Sequence, residues 1–384
     1  MELSTAQIIP ILIYTENLHL HIPNDIIYKN KKSEEEIMSE ISMISKKVQL
    51  GECTKISSHI NGSNYDILFV PPNREKGINI SSIVIVPKSN TIYNQIVLEA
   101  NNCDNNNLDE MLASAIITCK QLIEIVEGNY APIVMPLLPA MSESERYFQQ
   151  LSKGCFELSN TEPYYRIDEQ VIRIINESKS MLKDKYNIEC SNKIFLNGYS
   201  ASAVFAHRFA LIHPEIVETA CIGGAIGDIP IPTRSIGYPI GIEDFENIFG
   251  KNFDIDSYSK IKFRYYVGEL EDAMKSDNRV DEDGRQAPMH DMSYFYKSVP
   301  TEVGKKQRSK LGKNIFERAH KTIEILKKHG IDIELTIIPG RSHNDNSGTG
   351  LNEYTVKIPM QVHNETCTDD KIVTCNGQVE EERN

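Results

Sequence analysis

"KIFLNGYSASAVFAHRFALIHP", Lys193 to Pro214, joins a short β-like run to a helix-like run through a turn of small residues. At its centre stands Ser200, with Gly198 two positions before it and Ser202 two positions after. A chain that leaves a strand and enters a helix in one sharp turn lifts the apical residue clear of the sheet, at a strained backbone position. Bulky side chains two residues to either side would collide there, and glycine and serine avoid the collision. The string G-Y-S-A-S departs from the pattern G-x-S-x-G only in its last residue, and the flanking strand and helix supply the context that pattern requires. Ser200 is therefore a candidate nucleophile.

Outward from this stretch, strand-like and helix-like runs alternate. "YDILFVPP" (Tyr65–Pro72) and "SSIVIVP" (Ser81–Pro87) are rich in β-branched residues and end in proline, as hairpin or edge strands do. "NQIVLEANN" (Asn94–Asn102) is a strand that runs into an Asn-rich turn. Leu108, Leu112, Ala115, Ile116, Cys119, Leu122, Ile123 and Val126 then recur at helical spacing, with Asp109 and Glu110 in the first turn, where the helix dipole favours acids. "APIVMPLLP" (Ala131–Pro139) has the unbroken apolar character of a strand buried on both faces.

Ile167, Val171, Ile174, Ile175, Ser178 and Leu182 predict the next helix. After the helix that ends before Pro214 come the strands "TACIGGAIG" (Thr219–Gly227) and "KFRYYVG" (Lys262–Gly268). A helix through Phe316, Ala319, Ile323 and Leu326, closed by Gly330, precedes the strand "DIELTIIPG" (Asp332–Gly340). This order predicts an α/β fold, a mostly parallel wound sheet with helices on both faces.

Two stretches break the rhythm. Residues 228–261 carry prolines, glycines and no clean period, and residues 273–313 form a second excursion containing the acidic run Asp281 to Gly284. Long insertions at strand ends build lids or pocket walls. The acidic run lacks the alternating oxygen spacing of a calcium loop and reads as a solvated turn. The predicted division is an N-terminal extension over residues 1–60, a core over 61–346 with the two insertions, and a C-terminal tail over 347–384. The charged run "KNKKSEEE" (Lys29–Glu36) reads as a solvated face or linker.

Composition narrows the function classes. The 384 residues, 40% hydrophobic and 25% charged, suit a globular protein. A net charge of −13 repels phosphate backbones and anionic lipid, which argues against nucleic acid as a partner. No apolar run approaches the roughly 18 residues of a membrane span. Glu2 stands where a secretion signal has a basic start, so the expected location is cytoplasmic. The eight cysteines form no CxxC pair and read as scattered reduced thiols, although Cys367 and Cys375 lie in a polar segment where a bridge could form on export. Neither a metal site nor a cofactor is expected.

Serine is a weak nucleophile at neutral pH and needs a base, which in turn needs an orienting acid. Two later strand ends offer them: "VGELED" presents Glu271 and Asp272 past Gly268, and "PGRSH" presents His343 past Gly340. The order Ser, acid, His is the one this architecture uses. Among the other histidines, His290 in the second insertion is the rival base, and His207, on the helix behind Ser200, reads as structural.

From about Tyr65 to about Asn346, on "NGYSAS", "VGELED" and "PGRSH", the chain resembles the α/β-hydrolase superfamily, within it the esterase and depolymerase-like members. The resemblance implies Ser200 as nucleophile and His343 as general base. Glu271 fits the family's usual place for the acid, three residues past the strand-ending glycine, whereas Asp272 fits its commoner residue type; both remain candidates. It also implies an oxyanion hole made by the Ala201 N–H and a second N–H from "LEANNCD", at Asn101 or Asn102. The implied reaction is hydrolysis of a small-molecule carboxylic ester through an acyl-enzyme. An acyltransferase, a thioesterase or a non-catalytic binding member of the same fold are the alternatives.

Overall fold

The computed structural model describes residues 54–55, 64–88, 94–103, 107–126, 131–139, 146–225, 229–271, 275–280, 286–288 and 299–343. Nine strands form one sheet: β1 (Thr54–Lys55), β2 (Tyr65–Val70), β3 (Ser82–Pro87), β4 (Ile96–Leu98), β5 (Ile133–Pro136), β6 (Ile194–Tyr199), β7 (Val217–Gly223), β8 (Lys262–Gly268) and β11 (Ile333–Ile338). Their spatial order is β1-β2-β3-β5-β4-β6-β7-β8-β11. The first strands meander antiparallel, and every pairing from β5 to β11 is parallel.

The parallel steps are made through helices. Helix α1 (Leu108–Val126) links β4 to β5, α2 (Ile167–Tyr186) links β5 to β6, and α3 (Ala201–Ile212) links β6 to β7. The apolar residues of β3, β4 and β5 are buried without alternation, because both faces of the sheet are covered. One core cluster takes Leu112, Ala115, Cys119 and Leu122 of α1 against Val97, Phe195 and Cys221. The other takes α2, α3 and α7 (Ile315–Lys328) against Leu98, Leu196, Ala220 and Phe263. The expected wound sheet with helices on both faces is the observed one.

The first insertion is less irregular in its packing than in its sequence. It contains the short helices α4 (Phe245–Phe249) and α5 (Ile255–Tyr258), and it buries Ile229, Ile231, Ile236, Tyr238, Ile240, Phe245 and Tyr258 in the cluster that holds α3. The described part of the second insertion is the strand pair β9 (Lys275–Val280) and β10 (Gln286–Pro288), followed by α6 (Thr301–Leu311). The acidic run 281–284, His290, the charged run 29–36 and the tail 347–384 lie outside the described residues. Among the described residues no helix is long and apolar enough to cross a membrane.

The strand order fixes where a site can form. From β4 the chain crosses to β5 on one side, and from β6 it crosses to β7 on the other, so connections diverge above the β4/β6 boundary. A wound sheet opens a crevice at such a switch point, outside the carboxyl ends of its strands. Ser200 follows β6, Asn101 and Asn102 follow β4, Glu271 follows β8 and His343 follows β11, all at that edge.

Candidate active site

Ser200 sits between β6 and α3 at φ 59° and ψ −119°. A non-glycine residue there costs on the order of 1–3 kcal/mol, which the surrounding bonds must hold in place. The Ser200 N–H donates to the Gly223 carbonyl of β7 at 3.0 Å, and its own carbonyl accepts the Val204 N–H of α3 at 3.1 Å. The turn is tight enough that a Cβ on Gly198 would lie 2.5 Å from the Ser202 carbonyl oxygen. Glycine at 198 is thus a steric requirement. Ser202 is tolerated for a different reason: its hydroxyl turns under the elbow, accepts the Tyr199 N–H at 2.8 Å and lies 3.0 Å from the Tyr199 carbonyl.

Two loops bring the other groups to Ser200. Past β8, the Glu269 and Leu270 N–H groups donate to Ile338 and Arg341 carbonyls at 2.9 and 2.8 Å, and the Glu269 carboxylate accepts the Gly340 N–H at 2.8 Å. The loops after β8 and β11 are therefore laced together. His343 Nε2 lies 3.0 Å from Ser200 Oγ, and its Nδ1 is bonded to Glu271 Oε1. Glu271 is wholly buried and His343 nearly so, which keeps water out of their contact. Among the described residues Glu271 is the acid that meets the imidazole; Asp272 lies outside them. Below the ring, Gly224 at φ 64° leaves room: a Cβ there would meet the Tyr199 ring at 2.8 Å and His343 Cε1 at 3.0 Å.

The loop after β4 is braced on both sides. The Asn101 side chain donates to the Leu138 carbonyl at 3.1 Å and accepts the Leu138 N–H at 2.6 Å. Gln149, fully buried, does the same for Cys103, donating to its carbonyl at 2.8 Å and accepting its N–H at 3.2 Å. The Asn101 N–H is engaged with the Pro136 carbonyl at 3.4 Å, so of the two expected donors Asn101 is turned inward. Asn102, between the braces, is exposed, and its carbonyl accepts the Ser114 hydroxyl of α1 at 3.3 Å. Ala201 opens α3, where the first N–H groups of a helix have no partner within it.

A mostly parallel sheet with this strand order, carrying Ser200 at positive φ between β6 and α3 and His343 past its last strand, decides the architecture. The chain has the α/β-hydrolase fold. Several solved structures are similar to it in chain path. Poly(aspartic acid) hydrolase-1 from Sphingomonas sp. KT-1 shares 13% identity over 73% of this chain and 92% of its own, with a TM-score of 0.48. A poly(3-hydroxybutyrate) depolymerase from Bordetella parapertussis shares 12% over 84% and 93%, at 0.47. Carboxyl esterase 2 from Tuber melanosporum shares 8% over 81% and 86%, at 0.41. Neither a family model nor a curated protein sequence matches the chain.

Under the α/β-hydrolase elbow lies a residue that the sequence reading passed over. Glu99, one past β4, is buried, accepts the Asn197 amide at 2.6 Å and lies 3.2 Å from the Ser202 hydroxyl. Burial pushes its carboxyl up to about 7, against the lowering pull of those two hydrogen bonds. The available signal was an acid directly after an apolar strand, in "IVLEANN", together with a serine where the elbow pattern has glycine. Tyr199 was missed as well: its hydroxyl donates to the His343 carbonyl at 2.9 Å. His207 is buried on α3, and burial holds its imidazole well below the ordinary range, so it is neutral. Among the described residues no group of three or more His, Cys, Asp or Glu is placed to hold a metal ion.

Proposed function

We propose that the protein is a serine hydrolase that cleaves a small carboxylic ester through an acyl-enzyme. The observation that carries this reading is the continuous contact from Ser200 Oγ through His343 to buried Glu271. With Nδ1–H donated to Glu271, the imidazole presents Nε2 as an acceptor to the serine proton. As Ser200 Oγ attacks the ester carbonyl, His343 takes that proton and Glu271 stabilises the imidazolium. The proton then passes to the departing alcohol oxygen. Water, activated by the same imidazole, hydrolyses the acyl-serine and restores the free hydroxyl.

The negative oxygen of each tetrahedral intermediate is held by main-chain donors. Ala201 supplies one, at the positive end of α3, and Asn102 supplies the other from its braced loop. Asn101 acts by fixing that loop. The reading of a non-catalytic member has little to recommend it, since a strained serine, a base at 3.0 Å and a buried acid have no evident use in binding alone.

The test is hydrolysis of p-nitrophenyl acetate, with fluorophosphonate labelling alongside. Ser200→Ala should abolish labelling and lower kcat by about four to six orders of magnitude without changing the circular dichroism spectrum. A Ser200→Ala protein that turns over ester at the parent rate would overturn the proposal. Labelling together with a preference for thioesters or for an alcohol acceptor would move it to the thioesterase or acyltransferase reading.

A further inference from the structure

The elbow and the loop after β4 come from different strands, yet an oxyanion hole built from Ala201 and Asn102 requires them at one spacing. The sheet itself pairs β4 with β6 only as far as Leu98 and Leu196. Beyond that pair the chains diverge, one towards Asn102 and one into the elbow, and side chains must carry the connection. Glu99 and Asn197 are the next residues on each strand, and they meet across the gap at 2.6 Å. The same carboxylate reaches Ser202 at 3.2 Å, and Ser202 in turn holds the Tyr199 N–H directly before the nucleophile.

We propose that Glu99 is a positioning residue for Ser200: its carboxylate ties the elbow, through Ser202 and Asn197, to the strand end from which the Asn101–Cys103 loop departs. This rests on the hydrolase reading above. It also accounts for the departure from G-x-S-x-G, since a glycine at 202 would have no hydroxyl to reach Glu99.

The surroundings explain why such a group is not there for packing. Burial keeps Cys119 of α1, Cys221 of β7 and Tyr266 of β8 protonated, and the Glu99 charge pushes each further in that direction, so none of them offers Glu99 a compensating positive charge. Arg264, next along the sheet beyond Cys221, is occupied by ion pairs with Asp332 and Glu334 at 3.0 and 3.3 Å. An apolar side chain of similar length would fill the same volume without desolvating a carboxylate. What it would lack is an acceptor for two donors belonging to the elbow.

The experiment compares Glu99→Met, Glu99→Gln and Ser202→Ala with the parent by the second-order rate of fluorophosphonate labelling and by melting temperature. Glu99→Met keeps length and removes both the charge and the acceptor; it should label at least tenfold more slowly while melting no lower than the parent. Glu99→Gln should label within about threefold of the parent. It retains an acceptor for Ser202, and its amide can donate to Asn197 Oδ1, which has no partner among the described residues. Ser202→Ala, which deletes one oxygen at the far end of the link, should also label at least tenfold more slowly. The Glu99→Met/Ser202→Ala double variant should be no slower than the slower single, because both cut one connection.

Folded Glu99→Met that labels within twofold of the parent would overturn the proposal. So would labelling and melting temperature that fall together, which is the mark of a merely structural role, or losses that multiply in the double variant. If Glu99→Met fails to fold, Ser202→Ala decides alone, and labelling at the parent rate refutes the link. A folded parent that takes no label removes the hydrolase reading, and the positioning role with it.

Discussion

Tyr199 donates its phenolic proton to the main-chain carbonyl of His343 at 2.9 Å, and the two rings lie 5.1 Å apart. The residue before the proposed nucleophile thus holds the residue that carries the proposed base, across 144 positions of sequence. Tyr199→Phe keeps the ring and removes the tether. The expected loss is one hydrogen bond of about 0.5–1.5 kcal/mol, which corresponds to roughly a threefold to tenfold fall in kcat with KM nearly unchanged. Steady-state kinetics on p-nitrophenyl acetate checks this, and an unaltered kcat would show that the loop after β11 holds His343 unaided.

Glu271 and Asp272 separate by mutation. Glu271→Gln leaves the shape of the contact but offers His343 Nδ1 an amide in place of a carboxylate, so the imidazolium is no longer stabilised. On the proposed mechanism kcat drops by about 10⁴-fold. Asp272→Asn should cost far less, under about tenfold, because the Nδ1 contact belongs to Glu271. Equal losses in the two variants would return the acid assignment to the pair.

How much of this was legible in the sequence depends on where each signal resides. Ser200 and His343 could be singled out because each follows an apolar strand in a turn of small residues, a local pattern. The choice between Glu271 and Asp272 could not be made, because it depends on how the loops after β8 and β11 lace together through Glu269, Leu270 and Arg341, contacts between distant segments. The same holds for Asn101 against Asn102: adjacent and chemically identical, they differ only in which one the Leu138 segment captures. Glu99 stayed hidden because an acid after an apolar run reads as the start of a solvated turn. The first insertion showed no period, since its buried residues pack from short turns and helices rather than from one regular element.

The tightness of the elbow has its own test. Gly198→Ala places a methyl group 2.5 Å from the Ser202 carbonyl oxygen and 2.7 Å from the Ala203 nitrogen, both backbone atoms that cannot swing aside. Relief requires α3 or β6 to shift. The expected cost is about 1–3 kcal/mol in urea unfolding, with ester turnover reduced further than stability. A variant as stable and as active as the parent would show that the turn is looser than described.

Away from the site, a buried ion network joins the start of α2 to the end of α3. Asp168, fully buried, accepts from Arg166 Nε and Nη2 at 3.0 and 2.7 Å and lies 2.9 Å from His213 Nε2. Burial alone would raise Asp168, but His213 and Arg166 hold it well below the usual carboxylate range. For His213 burial pulls downward, and the bonds to Asp168 and Glu215 outweigh it and leave the imidazole raised. The signs follow by linkage. A raised histidine contributes stability that is complete below its ordinary value of 6.5 and is lost as pH climbs through the folded value. A depressed aspartate contributes stability that is present above its ordinary value of 3.8 and is lost as pH falls through the lowered one. The network is therefore strongest in the mildly acidic window between them. His213→Gln should lower the unfolding free energy by about 1.5–3 kcal/mol near pH 6, the worth of a hydrogen bond to a charged group. As pH climbs through the raised folded value the deficit should shrink, because the parent imidazole then loses its charge. Urea titrations of both proteins from pH 6 upward measure the difference, and a deficit that stays constant across the series would mean that the His213 charge adds nothing to stability.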